Sequence, residues 1–93
     1  MEKVIVTRHA ALIEMLIEKG LADKNTRVIR HAKPDNIVGK HVVGVRPLSL
    51  ASLAAKVTEI PLNLPVELRG KELSIEEFKR YAGEPISYVV RKI

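Results

Sequence analysis

Four short runs of apolar, mostly β-branched residues each lead directly into basic residues. The runs and the residues that follow them are Val4-Ile5-Val6 with Thr7-Arg8-His9, Val28-Ile29 with Arg30-His31, residues 42–45 with Arg46, and Tyr88-Val89-Val90 with Arg91. In an open α/β sheet, ligands bind just beyond the carboxyl ends of the parallel strands. Cations at these positions therefore predict a crevice for an anionic ligand, with phosphate as the leading candidate.

Helical periodicity separates the apolar runs. Residues 10–19 have the apolar spacing of a helix, for which Gly20 is the expected end. A second helix is expected over residues 50–59, because alanines and leucines dominate this stretch. Ser49 is its expected N-cap and Pro61 its expected end.

The third predicted helix begins at a capping box. Ser74 and Glu77 have the spacing that satisfies the first backbone N–H groups of a helix. Leu73, just before the cap, can pack on Phe78 one turn into the helix. This helix is expected to end near Gly83.

The direction of the second strand stays open at the level of sequence. Strands are expected over residues 3–7, 26–31, 41–45, 60–64 and 86–90. Only nine residues, 32–40, join the second strand to the third, and a helical parallel crossover normally needs about ten to twelve. A single helical turn at residues 34–37 would make the pair parallel. An antiparallel pair would instead place Arg30 and His31 at the opposite edge from Arg8.

This alternation of strands and helices predicts an α/β fold. The expected architecture is a single Rossmann-like domain over residues 1–93, with a mostly parallel central sheet of about five strands flanked by about three helices. The core of so small a domain is modest, so a homodimer that shares apolar surface is expected.

Composition narrows the classes of function. The net charge of +5 favours polyanionic partners. The chain has no cysteine, which excludes disulfides, thiolate zinc sites and cysteine nucleophiles. No apolar stretch is long enough for a membrane span, and the N-terminus enters a strand rather than a signal peptide. A cytoplasmic protein is therefore expected.

The leading candidate site is Thr7-Arg8-His9, at the turn from the first strand into the first helix. Its side chains and the first N–H groups of the helix would meet a phosphate together. The alternative is a capping Thr7 beside two surface cations. No glycine-rich phosphate loop is present, so the usual dinucleotide and nucleoside triphosphate sites are not predicted.

A second anion-binding turn is predicted at Arg46-Pro47-Leu48-Ser49. Arg46 would clamp a phosphate, while Ser49 would cap the helix and touch a phosphate oxygen. No neighbouring base activates Ser49 as a nucleophile, and the three histidines, His9, His31 and His41, match no metal motif. No metal or other cofactor is therefore predicted.

A third candidate lies in the loop before the last helix. Arg69-Gly70-Lys71-Glu72 belongs to the kind of long loop that closes over ligands. The alternative is a solvated turn.

Three motifs follow one another along the chain: T-R-H at residues 7–9, G-V-R-P-L-S-L-A at 44–51 and L-N-L-P-V-E-L-R-G-K-E-L-S-I-E-E at 62–77. In their order and spacing they resemble the small CRISPR-associated proteins of the Csx-sixteen family. The likeness spans nearly the whole chain. The chain departs from the family pattern in lacking a Gly soon after T-R-H and a Trp on the first helix, where it has Ala10, Ala11 and Met15. The resemblance implies a divergent member.

The resemblance also implies an activity. Such proteins accompany type III CRISPR systems, have a Rossmann-like fold similar to CARF domains, and are similar to ring nucleases that degrade the messenger cyclic tetra-adenylate without a metal. The substrate's own 2′-OH would attack the adjacent phosphorus. Arg8, Arg46 and His9 would then be catalytic, and a homodimer would hold the ligand across its two-fold axis. Ligand contacts would come from Thr7, Pro47, Leu48, Ser49 and Arg69.

Three other functions remain open from the sequence. A non-catalytic binder would trap the same cyclic oligoadenylate without cleaving it. A histidine phosphatase also carries an Arg-His pair after its first strand, but this chain is short for that fold and has Ala10 where a Gly is expected. A general nucleic-acid binder fits the charge, yet no recognition helix is evident; a stable DNA or RNA partner is therefore not predicted.

Overall fold

A five-stranded β-sheet forms the centre of the fold. The computed structural model describes residues 1–44 and 47–93. The strands are β1 (Lys3–Val6), β2 (Arg27–Ile29), β3 (His41–Val43), β4 (Lys56–Glu59) and β5 (Ile86–Tyr88). Their order across the sheet is β2-β1-β3-β4-β5, with β1 to β4 parallel and β5 antiparallel to β4. The predicted α/β class with a mostly parallel sheet is confirmed.

In the described part of the chain, four α-helices pack on the two faces of this sheet. They are α1 (Ala10–Glu18), α2 (Pro34–Ile37), α3 (Leu48–Ala51) and α4 (Ile75–Tyr81), and a 3-10 helix spans Val66–Leu68. α1 and α4 lie together on one face, where Ile5 and Val43 pack with Met15, Leu16 and Phe78. The one-turn helices α2 and α3 cover the other face. There Ile37 and Ala51 join Val4, Val42 and Val57.

The short crossover between β2 and β3 settles the direction of the second strand. α2 is a single turn that begins with Pro34, and β2 runs parallel to β1 with Val28 opposite Ile5. The chain therefore passes from β1 to β2 on one side and then returns to β3 on the other side of β1. Strand order reverses between β1 and β3, which is where open α/β sheets place their ligands.

The capping box of α4 is confirmed. The hydroxyl of Ser74 accepts a hydrogen bond from the N–H of Glu77 at 3.2 Å, and the Glu77 carboxylate accepts one from the N–H of Ser74 at 3.0 Å. Leu73 and Phe78 are buried in the same cluster. The side chains of Lys79 and Glu18 form an ion pair between α4 and α1.

The helix predicted over residues 50–59 is wrong. α3 ends at Ala51, its N-cap is Pro47 rather than Ser49, and Lys56–Glu59 forms β4. Val57 and Thr58 are buried on opposite faces of the sheet and pair with both β3 and β5. This burial and pairing outweigh the helix propensity of the preceding alanines.

Two predictions near the last strands are also wrong. Residues 60–64 form no strand, and only Leu62 makes a bridge, to Ala82. β5 is antiparallel to β4, so Arg91 follows a strand that leaves the sheet at the edge away from the carboxyl end of β1. Arg91 therefore does not join the cations that follow β1 and β2.

Gly44 allows β3 to approach β1 closely where the two strands end. Its φ is +136°, and a Cβ atom placed on it would lie 2.5 Å from the carbonyl oxygen of Val6. Its N–H donates to the carbonyl of Thr58 at 2.9 Å, so the backbone is held from the β4 side as well. A side chain at this position would force the carboxyl ends of the strands apart.

We expect Gly44→Ala to lower the free energy of unfolding by about 1–3 kcal/mol, from backbone strain and the clash with Val6. Gly83→Ala is the matched control, because its Cβ would lie no closer than 3.7 Å to Pro61. The control should be neutral or stabilising by up to about 1 kcal/mol. Urea denaturation measures both, and equal effects would contradict the close-approach argument.

His41 lies half-buried between two lysines at the amino ends of the strands. It is opposite Lys3 on β1 and Lys56 on β4. Its Nε2 is 2.6 Å from the hydroxyl of Thr58, which is 2.8 Å from that of Ser87. Burial, then the charges of Lys56 and Lys3, lower the pKa of His41 below its ordinary value of 6.5.

This lowered pKa predicts a loss of stability in mild acid. As the pH falls through 6.5, the unfolded chain binds a proton at His41 more readily than the folded chain does. The contribution of neutral His41 to the free energy of unfolding is therefore complete above pH 6.5 and declines below it. The free energy of unfolding of the wild type should therefore fall more between about pH 8 and pH 5 than that of His41→Gln. Parallel declines in urea denaturation would contradict the expectation.

Candidate functional site

An open cavity of about 600 Å³ lies where β1 and β3 end. Its walls come from the ends of these strands, from α1 and α4, and from the segments that follow β4 and precede α4. The apolar lining residues are Val6, Leu12, Val43, Ile60, Leu62, Leu64, Leu73 and Phe78. Thr7, Arg8, His9, Lys71 and Glu72 supply the polar part of the lining, and Gly44 and Gly70 complete it. We call this space the apolar cavity.

A second pocket, of about 460 Å³, lies beside it where β1 and β2 end. It is lined by Thr7, Arg8, His9, Arg30, His31 and Ala32. None of these described lining residues is acidic. We call this space the cationic pocket. The sequence predicts cations at the carboxyl ends of parallel strands, and the parallel direction of β2 brings Arg30 and His31 into this pocket.

The segment Thr7-Arg8-His9 lines both spaces. Thr7 is buried, and its N–H donates to the carbonyl of Ile29 at 3.2 Å. Its hydroxyl accepts a hydrogen bond from the N–H of His9 at 3.1 Å. These contacts hold the backbone of the segment to β2 and to the start of α1. Arg8 and His9, whose side chains are exposed, are thereby presented from a fixed base.

Arg8 contacts His31 across the cationic pocket. Its Nη2 lies 3.1 Å from His31 Nδ1. An arginine can only donate, so Nδ1 accepts and the ring proton lies on Nε2. A neutral acceptor positions the guanidinium without cancelling its charge. Arg8 therefore remains a full positive charge that can bind an anionic oxygen.

His9 is the N-cap residue of α1, and its side chain makes no capping hydrogen bond. Its carbonyl accepts from the N–H of Leu12 at 3.1 Å. The imidazole ring lies against Phe78, with 6.0 Å between ring centroids and a 54° tilt. An imidazole at this boundary can exchange protons with a ligand that occupies either space.

The segment after β3 does not join these residues as far as the structure describes it. Arg46 lies outside the described residues. Pro47 and Ser49 are exposed, and Leu48 is 74% exposed. Leu48 lines a separate cavity of about 210 Å³ with Val57 and Tyr88. The ligand contacts expected of Pro47, Leu48 and Ser49 stay predictions.

The third candidate segment, Arg69-Gly70-Lys71-Glu72, lines the apolar cavity with three of its four residues. Arg69 is exposed at the end of the 3-10 helix and does not line the cavity. Gly70, Lys71 and Glu72 do line it. The ligand contact expected of Arg69 stays a prediction.

The sequence analysis names Arg30 and His31 among the cations that follow strands and Glu72 within the third candidate segment, but it assigns none of the three a ligand contact. The open direction of β2 leaves Arg30 and His31 without an assigned role at the level of sequence, although Pro34 indicates a short helical turn. The carboxylate of Glu72 had no sequence signal beyond its place in the loop. No group of three or more His, Asp or Glu residues that could hold a metal occurs in residues 1–44 and 47–93.

We expect Arg30→Ala to weaken the binding of inorganic pyrophosphate about tenfold, because it removes a charge-assisted contact in the cationic pocket. Arg27→Ala is the matched control: it removes the same charge from the first residue of β2, whereas Arg30 directly follows the last residue of that strand. Isothermal titration calorimetry compares them. Equal losses in the two variants would show that only net charge matters.

Comparison with known proteins places the chain in a family. No curated protein and no solved structure matches it. None of the helices in the described part of the chain is long and apolar enough to cross a membrane. Residues 4–91 match the model of the family described as "Putative CRISPR-associated protein (Cas_VVA1548)". The match spans both strand exits of the site, and the chain belongs to this CRISPR-associated family.

Proposed function

We propose that this protein is a metal-independent ring nuclease of the cytoplasm that binds and cleaves cyclic oligoadenylate, in the first place cyclic tetra-adenylate. The observation that carries the proposal is the pairing of the cationic pocket with the apolar cavity on either side of Thr7-Arg8-His9. The phosphodiesters of a cyclic oligonucleotide suit the cationic pocket and its bases suit the apolar cavity, so such a ligand would use both spaces. Membership of a CRISPR-associated family supports a nucleotide messenger of this class.

The proposed reaction needs little chemistry from the protein. The 2′-oxygen of one ribose attacks the neighbouring phosphorus and loses its proton, while the bond from phosphorus to the 5′-oxygen breaks and that oxygen gains a proton. The products carry a 2′,3′-cyclic phosphate and a 5′-OH. The protein must hold the three reacting atoms in line and stabilise the charge that develops on the phosphoryl oxygens.

Arg8 and His9 are the residues best placed for these tasks. The Arg8 guanidinium, positioned by His31 at 3.1 Å, supplies charge to the phosphoryl oxygens. His9 transfers a proton to the 5′-oxygen or from the 2′-OH. Arg30 adds a second cation in the same pocket. Arg46 is proposed to act from the end of β3, and a homodimer would present each of these groups twice to a symmetric ring.

Incubation of the purified protein with radiolabelled cyclic tetra-adenylate and EDTA tests the proposal. We expect linear products that carry a 2′,3′-cyclic phosphate. Retention of bound, intact ring would instead identify a non-catalytic binder. Equal affinity for the ring, linear oligoadenylate and duplex DNA would identify a general nucleic-acid binder.

The same assay tests the assigned residues. Arg8→Ala should lower the cleavage rate about 10²–10³-fold, as expected for the loss of one transition-state contact. His9→Asn keeps a good N-cap and should lower the rate about 10²–10⁴-fold with little change in binding. Arg27→Ala is the charge-matched control and should cleave at the wild-type rate. Full activity of His9→Asn would remove His9 from the mechanism.

A further inference from the structure

We propose that the apolar cavity is a nucleobase pocket, and that Glu72 selects bases that carry an exocyclic amino group. The proposal rests on the proposed function for the identity of the larger ligand, of which this base is one part. It adds a subsite and a residue that determines specificity. The ligand class is a nucleoside phosphate with an amino-bearing base, such as adenine.

The cavity has the size and lining of a site for a flat, largely apolar group. At about 600 Å³ it falls within the usual range for small-molecule sites. Apolar walls come from Leu12 in α1, from Leu64 in the segment after β4 and from Phe78 in α4. The faces of a nucleobase are apolar, so such walls favour its transfer from water.

The neighbouring cationic pocket identifies what the flat group is attached to. Thr7, Arg8 and His9 line both spaces, so a ligand that fills the apolar cavity lies next to Arg8 and His9. In a nucleotide, a single sugar separates the base from its phosphate. A base in the apolar cavity and a phosphate beside Arg8 and Arg30 therefore match the two spaces in chemistry and in adjacency.

Glu72 is the only acidic residue among the described residues that line either space. Its position is anchored, because the next residue, Leu73, is buried in the cluster that contains Phe78. A carboxylate near a bound polyanion is unfavourable unless it meets a hydrogen-bond donor.

The donors that bases offer to such a carboxylate are exocyclic amino groups and ring N–H groups, and on the Watson–Crick edge adenine offers only its 6-amino group. Adenine carries an amino group where hypoxanthine carries a carbonyl oxygen. With Glu72 facing position 6 of the purine, that oxygen would repel the carboxylate, whereas the amino group of adenine would donate to it, so this placement favours adenine over hypoxanthine.

Calorimetric titration with 5′-AMP, 5′-IMP and ribose 5-phosphate tests both parts of the proposal. The wild type should bind 5′-AMP about tenfold more tightly than 5′-IMP, because one charge-assisted hydrogen bond is lost and a repulsion gained. Ribose 5-phosphate should bind more weakly than either nucleotide. Glu72→Gln should bring the affinities for 5′-AMP and 5′-IMP within about twofold of each other.

A second variant tests the cavity itself. Leu64→Trp fills the cavity and should lower the affinity for 5′-AMP to that for ribose 5-phosphate, which should itself be unchanged. Val66→Trp is the matched control, because Val66 lies two residues away, is 78% exposed and does not line the cavity. Thermal unfolding verifies that each variant is folded.

The outcomes separate this proposal from the proposed function. Equal wild-type affinities for 5′-AMP and ribose 5-phosphate would overturn the base pocket, even if the protein cleaves cyclic tetra-adenylate. An unchanged preference for 5′-AMP in Glu72→Gln would overturn the role of Glu72. A preference for 5′-AMP that depends on the base and on Glu72, in a protein that cleaves no ring, would support the base pocket and contradict the proposed nuclease activity.

Discussion

The close approach of β1 and β3 at their carboxyl ends is the constraint on which the rest of the structure depends. Gly44 lies over the carbonyl of Val6, at a distance that no Cβ atom tolerates, and its own N–H pairs with β4. This contact keeps the sheet continuous up to the point where the strand order reverses. Beyond it the chain departs in two directions, to α1 and towards α3, and the apolar cavity lies at that divergence.

The site divides its chemistry between two neighbouring spaces. Positive charge gathers where β1 and β2 end, and apolar surface gathers where β1 and β3 end. Thr7-Arg8-His9 stands between them, held by backbone contacts to β2. Because His31 contacts Arg8 as a neutral acceptor, the guanidinium is oriented while its charge remains available. Such an arrangement suits a ligand with one polar and one apolar end.

The two faces of the sheet are covered unequally. α1 and α4 are long enough to bury one face, and the Lys79–Glu18 ion pair joins them. α2 and α3 are single turns, and the side chains of Leu48 in α3 and Tyr88 in β5 remain exposed. The apolar cavity borders the well-covered face, where α1 and α4 supply Leu12 and Phe78 to its wall. Two helices of this face therefore form part of the cavity wall.

The sequence by itself determined the fold class and the central candidate segment. β-Branched runs, the capping box of Ser74 and Glu77 and the stop at Gly20 are local signals, because they act through backbone geometry within a few residues. They sufficed for β1, α1 and α4, and for placing Thr7-Arg8-His9 at a strand exit.

Only the tertiary structure decided which strand exits share an edge. The direction of β2 brought His31 to Arg8, and the antiparallel β5 removed Arg91 from the group. The alanine-rich stretch before Lys56 favoured a helix locally, yet pairing and burial of Val57 and Thr58 made a strand. Glu72 joined the cavity through the burial of its neighbour Leu73. Each of these outcomes depends on contacts between residues that are distant in the chain. Local propensity does not predict such contacts.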